Sequence, residues 1–143
     1  MDIESLAPSA EIVSLLTECG LPVADIHAGS PVSFFGVRRD GLLQGTIGLE
    51  LFPPVALLRS LAVCPAARKR GLGGQLLAFA EKFARGRGVD TLYLLTTNAG
   101  NYFLQRGYTP AVRATAPDAI QKTSQFAALC PATSLLLFRS LQD

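Results

Sequence analysis

Between Leu57 and Gly88 the chain reads LLRSLAVCPAARKRGLGGQLLAFAEKFARGRG: an apolar run that stops at a proline, a cluster of cations, then three glycines opening a helical pattern. The first amides of a helix have no internal partners, and the helix dipole makes that end favourable for anions. Gly71, Gly73 and Gly74 carry no side chains to hold a phosphate away from those amides, and Arg68, Lys69 and Arg70 put positive charge beside them. The chemistry that suits this stretch is a diphosphate cradle at a strand–loop–helix junction. Two familiar phosphate motifs do not fit. A P-loop ends in Gly-Lys-Ser/Thr, whereas Gln75 and Leu76 follow Gly74, and a dinucleotide fingerprint needs a third glycine where Leu76 stands.

A second set of residues stands out by being polar in apolar company. Glu50, in TIGLELF, is the only acid in the neighbouring strand runs apart from the turn residue Asp40. An acid there needs a partner or a wet cleft, so Glu50 either faces a substrate and handles its proton or pairs with Arg59. Arg59 poses the same question: its guanidinium can hold an anionic substrate bidentately, or form an ion pair with Glu50 or another acid. Ser60, beside it, can hydrogen-bond a substrate or sit at a sheet edge. The single histidine, His27, reads as a solvated loop residue. Cys64 and Cys130, each before a proline, read as small apolar fillers, and Arg106 and Arg113 as surface residues.

The elements that must position these groups follow from periodicity and turn signals. MDIESLA is a short strand, and SAEIVSLLTECG puts Ile12, Leu15 and Leu16 at helical spacing before Gly20. LPVADIHAGS is a short helical piece or a loop. Asp40-Gly41 signals a hairpin between two β-rich runs, and Pro53-Pro54 breaks the chain before the strand VALLRSLAV. From Leu72 the residues Leu72, Leu76, Phe79, Ala80 and Phe83 form one apolar helical face, closed by Gly86 and Gly88. VDTLYLLTT is a strand apolar enough for burial on both faces, NAGNYFLQRG a short helix, and the tail reads strand, short helix, strand. The predicted class is α/β, helices on one mixed sheet of about seven strands.

Composition bounds the rest. With 143 residues, 49% of them apolar, the chain suits one compact core, a single domain over residues 1–143. A net charge of +2, from 13 cations and 11 anions, argues against bulk electrostatic binding to nucleic acid. Cys19, Cys64 and Cys130 are far apart and odd in number, which predicts neither a disulfide framework nor a metal site and favours a reducing cytoplasm. Asp2 and Glu4 stand where a signal peptide would carry cations, and no run reaches the roughly 18 apolar residues of a membrane span. The apolar SLLLF near the end suits either a buried strand or a homodimer contact.

Arg68-x-x-Gly71-x-Gly73, preceded by LAVCP and followed by a helix, a strand and YFLQRGY, resembles the GNAT superfamily of N-acetyltransferases. The resemblance implies that fold, with a splayed central strand pair, and acetyl-CoA as cosubstrate. It places the pantetheine arm along Leu61, Ala62 and Val63, and the pyrophosphate on the amides of Lys69, Arg70, Gly71, Leu72, Gly73 and Gly74 beside Arg68. It also implies an oxyanion donor at Ala62 or Val63. The superfamily's tyrosine acid falls on Phe103, with Tyr102 as its neighbour, and the superfamily's asparagine falls on Thr96. Because one helical residue is about 100° of rotation, Tyr102 can serve as acid only with a local shift. A thiol of pKa about 8.5 is nonetheless a tolerable leaving group. LLRSLAVCP, LYLLTT and TSQFAALCP further resemble the N-acetyltransferases of bacterial arsenic-resistance operons, which implies a small amine acceptor such as an arsenical or phosphinic amino acid. A peptide N-terminus as acceptor, and a catalytically silent acyl-CoA sensor, are the rival readings.

Overall fold

Asp40 and Gly41 both adopt left-handed backbone, at φ 54° and 79°. They make the hairpin turn between β2 (Ser33–Arg39) and β3 (Leu42–Phe52) that the dipeptide predicts. In the computed structural model, which describes residues 2–142, these two strands join β1 (Glu4–Leu6), β4 (Val55–Val63), β5 (Thr91–Thr96), β6 (Thr109–Ala111) and β7 (Leu135–Ser140). They form one sheet in the order β1-β2-β3-β4-β5-β7-β6. Only β4 and β5 run parallel; the other neighbours are antiparallel. The sheet is therefore mixed, as predicted, and β7 lies between β5 and β6 rather than at an edge. That position supports the buried-strand reading of SLLLF, because the backbone of β7 is paired on both sides.

Helices cover both faces. The helix α1 (Ala10–Glu18) starts at Ser9, whose side chain accepts from the Ile12 amide at 3.3 Å. It buries Ile12, Leu15 and Leu16 against Phe34, Leu43 and Ala62. On the opposite face α2 (Leu72–Gly86) buries Leu72, Leu76, Leu77, Ala80 and Ala84 over Ile47, Leu49, Leu58 and Leu92. Phe79 and Phe83, expected on that stripe, lie at its flank, half-buried, with ring centroids 5.1 and 4.7 Å from that of Phe35. The short α3 (Gly100–Leu104) follows β5.

Residues 21–30 form a loop, the second of the two readings for that stretch. One expectation changes. The tail helix is split into α4 (Asp118–Gln121) and a separate π-helical turn, Gln125–Leu129. Ile120 of α4 packs on Leu57 and Leu136, with Phe126 of the turn beside them, which closes the second face over β4, β5 and β7.

The sheet allows close approach at Gly36, where a Cβ would lie 2.6 Å from Leu6 Cδ1 and 2.7 Å from the backbone oxygen of Gly45. At Gly74 a Cβ would meet nothing. Gly36→Ala should lower stability by about 1–3 kcal/mol in urea unfolding, since a backbone oxygen cannot swing aside. Gly74→Ala should leave it unchanged or slightly raised.

Candidate functional site

The strands β4 and β5 pair only at Val55↔Thr91, Ala56↔Leu92 and Leu57↔Tyr93. Beyond Leu57, β4 stays with β3 as far as Val63↔Gly45, while β5 stays with β7 as far as Thr96↔Leu135. Between the pairs Gly48↔Arg59 and Thr46↔Ala62, three steps on β4 match two on β3, so β4 carries a bulge there. Ser60, inside the bulge, has φ 59°, a left-handed conformation uncommon for serine. The Thr46 hydroxyl holds the distortion by donating to the Ser60 carbonyl at 3.0 Å. Where the strands part, a cleft of about 450 Å³ opens, lined by β4 from Leu58 to Val63 and by the end of β5.

The glycine turn lies at one end of this cleft. Arg68 lines it, donating from Nε to the Val63 carbonyl at 3.0 Å, with its Nη2 3.6 Å from Cys19 Sγ. Lys69 and Gly71 both take left-handed backbone, at φ 69° and 76°. The first helical bond of α2 runs from the Gln75 amide to the Gly71 carbonyl, at 3.1 Å. The amides from Lys69 to Gly74 have no backbone acceptor among the described residues. Nothing within 4 Å would meet a Cβ at Gly71 or Gly74, so no neighbouring side chain crowds the turn there, and Gly73 lies against Val63 at the cleft's end. The side chain of Leu72 is in the core, which leaves its amide as the group it can offer. This donor set fits a diphosphate.

At the other end stands a buried ion cluster. The Arg59 side chain is fully buried. Its Nη1 donates to Asp25 Oδ2 at 2.5 Å and to Glu50 Oε2 at 3.1 Å, its Nη2 to Asp25 Oδ1 at 2.8 Å, and its Nε to Ser60 Oγ at 3.1 Å. Of the two readings for Glu50 and for Arg59, the geometry realises the ion pair, and Asp25 completes it. Glu50, 3% exposed, stands off the cleft behind Arg59. Burial opposes the charge on Asp25, but the hydrogen bonds and charge of Arg59 outweigh it and hold the carboxyl below the usual aspartate range. Burial likewise opposes the charge on Arg59, and the two carboxylates overcome it.

Thr96 and Phe103 both line the cleft. The Thr96 hydroxyl accepts from the Ala99 amide at 3.0 Å, fixing the entry to α3, and Phe103 packs edge-on between Tyr102 and Tyr108. Tyr102 is turned away: its hydroxyl is sealed without a partner, 2.9 Å from where a Cβ of Gly73 would be. Three features escaped the sequence reading. Asp25 gives no signal, being 34 positions from its partner in a loop. Gln125 and Cys130 line the cleft from the π-helical turn and its exit. Arg113 is not a surface ornament, for its Nη1 donates to Ser134 Oγ at 2.9 Å and its guanidinium stacks 4.5 Å from the Phe126 ring centroid. His27 is exposed in the loop, as expected. Among the described residues no group of three or more His, Cys, Asp or Glu is placed to hold a metal, and no helix is long and apolar enough to cross a membrane.

The model of the acetyltransferase (GNAT) family matches residues 3–109. The chain belongs to the GNAT acetyltransferase family. It is 34% identical over 117 residues to the amino-acid acetyltransferase of Ectopseudomonas mendocina, covering 76% of this chain and 26% of that protein. With the amino-acid acetyltransferase of Neisseria meningitidis it shares 35% over 94 residues, 64% of this chain and 22% of the relative. The chain thus spans about a quarter of the length of these curated relatives. Among solved structures, N-acetylglutamate synthase from Neisseria gonorrhoeae, complexed with coenzyme A and N-acetyl-glutamate, superposes with a TM-score of 0.78 at 27% identity, over 100% of this chain and 36% of that one. A GNAT acetyltransferase from Staphylococcus aureus, at 17% identity and TM-score 0.73 over 99% of this chain and 100% of that one, shares the fold.

The Asp25 carboxyl generates a test. A carboxyl depressed in the folded state contributes stability that is complete above the unfolded aspartate pKa, about 3.9, and is lost as pH falls through the lower folded value. Asp25→Asn should therefore melt below the native protein at pH 7, with the gap narrowing as pH drops below about 4. A constant gap across thermal melts from pH 7 to 3 would mean that Asp25 carries no net ionic role.

Proposed function

We propose that residues 1–143 act as one N-acetyltransferase domain that moves an acetyl group from acetyl-CoA to the amine of a small amino-acid-like acceptor. The observation that carries this reading is the junction of two features on one cleft: strands that part at a bulge, and a run of unpaired amides at the adjoining helix start. Acetyl-CoA bound there supplies a thioester carbonyl for attack by the acceptor's neutral amine. The amides Lys69–Gly74 hold the diphosphate, with Lys69 and Arg70 exposed beside them. The backbone of Leu61–Val63 has no β5 partner, and apart from the Val63 carbonyl, which Arg68 holds, its edge is open to pair with the pantetheine amides and to donate to the thioester carbonyl oxygen.

Amino acids as acceptors are supported by the relatives named above, by the small volume of the cleft, and by its cover of segments 19–22 and 129–131. The likeness to arsenic-resistance acetyltransferases adds arsenical and phosphinic amino acids to that class. The ammonium of a free amino acid, stabilised by its own carboxylate, titrates above the roughly 7.7–8.0 of a peptide N-terminus. Its neutral fraction at pH 7 is therefore small, and its proton leaves through water in the open cleft. Glu50, held behind Arg59, then serves as a positioning residue. Phe103 offers no proton, and water returns one to the departing thiolate.

Thiol release from acetyl-CoA with a panel of amines tests the reading. Turnover should occur with α-amino acids, and its pH profile should rise to a plateau set by the acceptor's own amine pKa. Tight binding without release would favour the sensor. Gly71→Val, at a left-handed position in open space, should weaken acetyl-CoA at least roughly tenfold by calorimetry while the fold persists. Glu50→Gln should raise the acceptor KM and keep kcat within about threefold. A fall of about 100-fold in kcat at unchanged KM would instead make Glu50 the base.

A further inference from the structure

Gln125 opens the π-helical turn Gln125–Leu129 and is 4% exposed. What surface it keeps faces the cleft. Its Oε1 takes a long contact from Cys130 Sγ at 3.8 Å, while its Nε2 makes no hydrogen bond among the described residues and is not sealed from the cleft. A largely buried side chain that leaves its amide donor open to a cleft is free to give that donor to a ligand. The π-helical geometry supports the same conclusion, because such turns occur frequently at functional sites.

On the same cleft Ser60 presents a second donor. Its oxygen accepts from Arg59 Nε, and its own hydroxyl hydrogen has no acceptor among the described residues. Arg59 and Asp25 lie near enough to Cys130, and so to Gln125, for their charges to act on its thiol. The guanidinium fork itself is occupied by Asp25 and Glu50 and cannot take a ligand carboxylate bidentately. An anionic group entering this end of the cleft therefore meets neutral donors in front, with Arg59 behind Ser60 and its charge already matched by Asp25 and Glu50, so the neutral donors must supply the contacts.

We infer that Gln125 Nε2 and Ser60 Oγ form the subsite for the acceptor's carboxylate, and so select α-amino acids over amines that lack one. This rests on the amino-acid reading above. It departs from the expectation that Arg59 grips the anion directly: Arg59 polarises Ser60 and leaves the contacts to Gln125 and Ser60.

The test compares an α-amino acid with its decarboxylated amine, in wild type and in Gln125→Leu. The variant should raise KM for the amino acid roughly 10- to 100-fold and change KM for the amine and for acetyl-CoA less than about threefold. Gln125→Glu, which sets a carboxylate against a carboxylate, should lose at least as much. Equal losses on both acceptors, no loss at all, or tighter amino-acid binding in Gln125→Glu would each overturn the subsite. A wild type that uses both acceptors equally would also overturn it and leave the transferase reading intact. If no amine releases thiol, that reading falls, and calorimetry of the deaminated carboxylate on CoA-loaded protein still decides: binding in wild type that is lost in Gln125→Leu supports the subsite, and no binding sinks it. Should Gln125→Leu fail to fold, Ser60→Ala must show the same discrimination between the two acceptors.

Discussion

The left-handed backbone at Ser60 is the constraint on which the site depends. Holding a non-glycine residue at φ 59° costs of order 1–3 kcal/mol and persists only where neighbours over-determine it. Here the Thr46 hydroxyl on the Ser60 carbonyl and the continued pairing of β4 with β3 do so. The extra residue bends β4 away from β5 just beyond Leu57, and a parallel pair that would have sealed the sheet becomes an open V. Its walls are paired on their outer sides, by β3 and by β7, so the sheet stays whole while its centre is open.

Charge is arranged to match. The helix start of α2 offers amides to an anion at one end, and the Asp25–Arg59–Glu50 cluster closes the other. A guanidinium with no exposed surface is tolerable only because its donors are nearly all engaged, two carboxylates and one hydroxyl taking them. The same cluster ties the loop 21–30 to the sheet through Asp25. Ionic contact therefore fixes the loop over the cleft, with Arg59 alone of the three lining it.

Much of this was legible in the residues. The hairpin at Asp40-Gly41, the amphipathic α2 and the glycine run each combine a local signal with a local cause, and each stands where its spacing places it. The bulge was not legible, because serine carries no mark of left-handed backbone and the distortion is imposed by β3. Glu50 and Arg59 announced themselves as polar groups in apolar strands, yet their partner Asp25 lay in a loop with no periodicity to read. Gln125 was hidden within the stretch APDAIQKTSQFAAL, which reads as one short helix, whereas the structure breaks it into α4 and the π-helical turn. Long-range contacts decide these cases, and a linear pattern does not contain them.

Tyr102 and Gly73 form a mechanical couple. The tyrosine hydroxyl lies 2.9 Å from where a Cβ at position 73 would stand, so a side chain there requires the tyrosine to shift or shorten. A loop that brought a side chain to position 73 would thus need a shorter or displaced residue at 102, and the two positions travel between backbones as a pair.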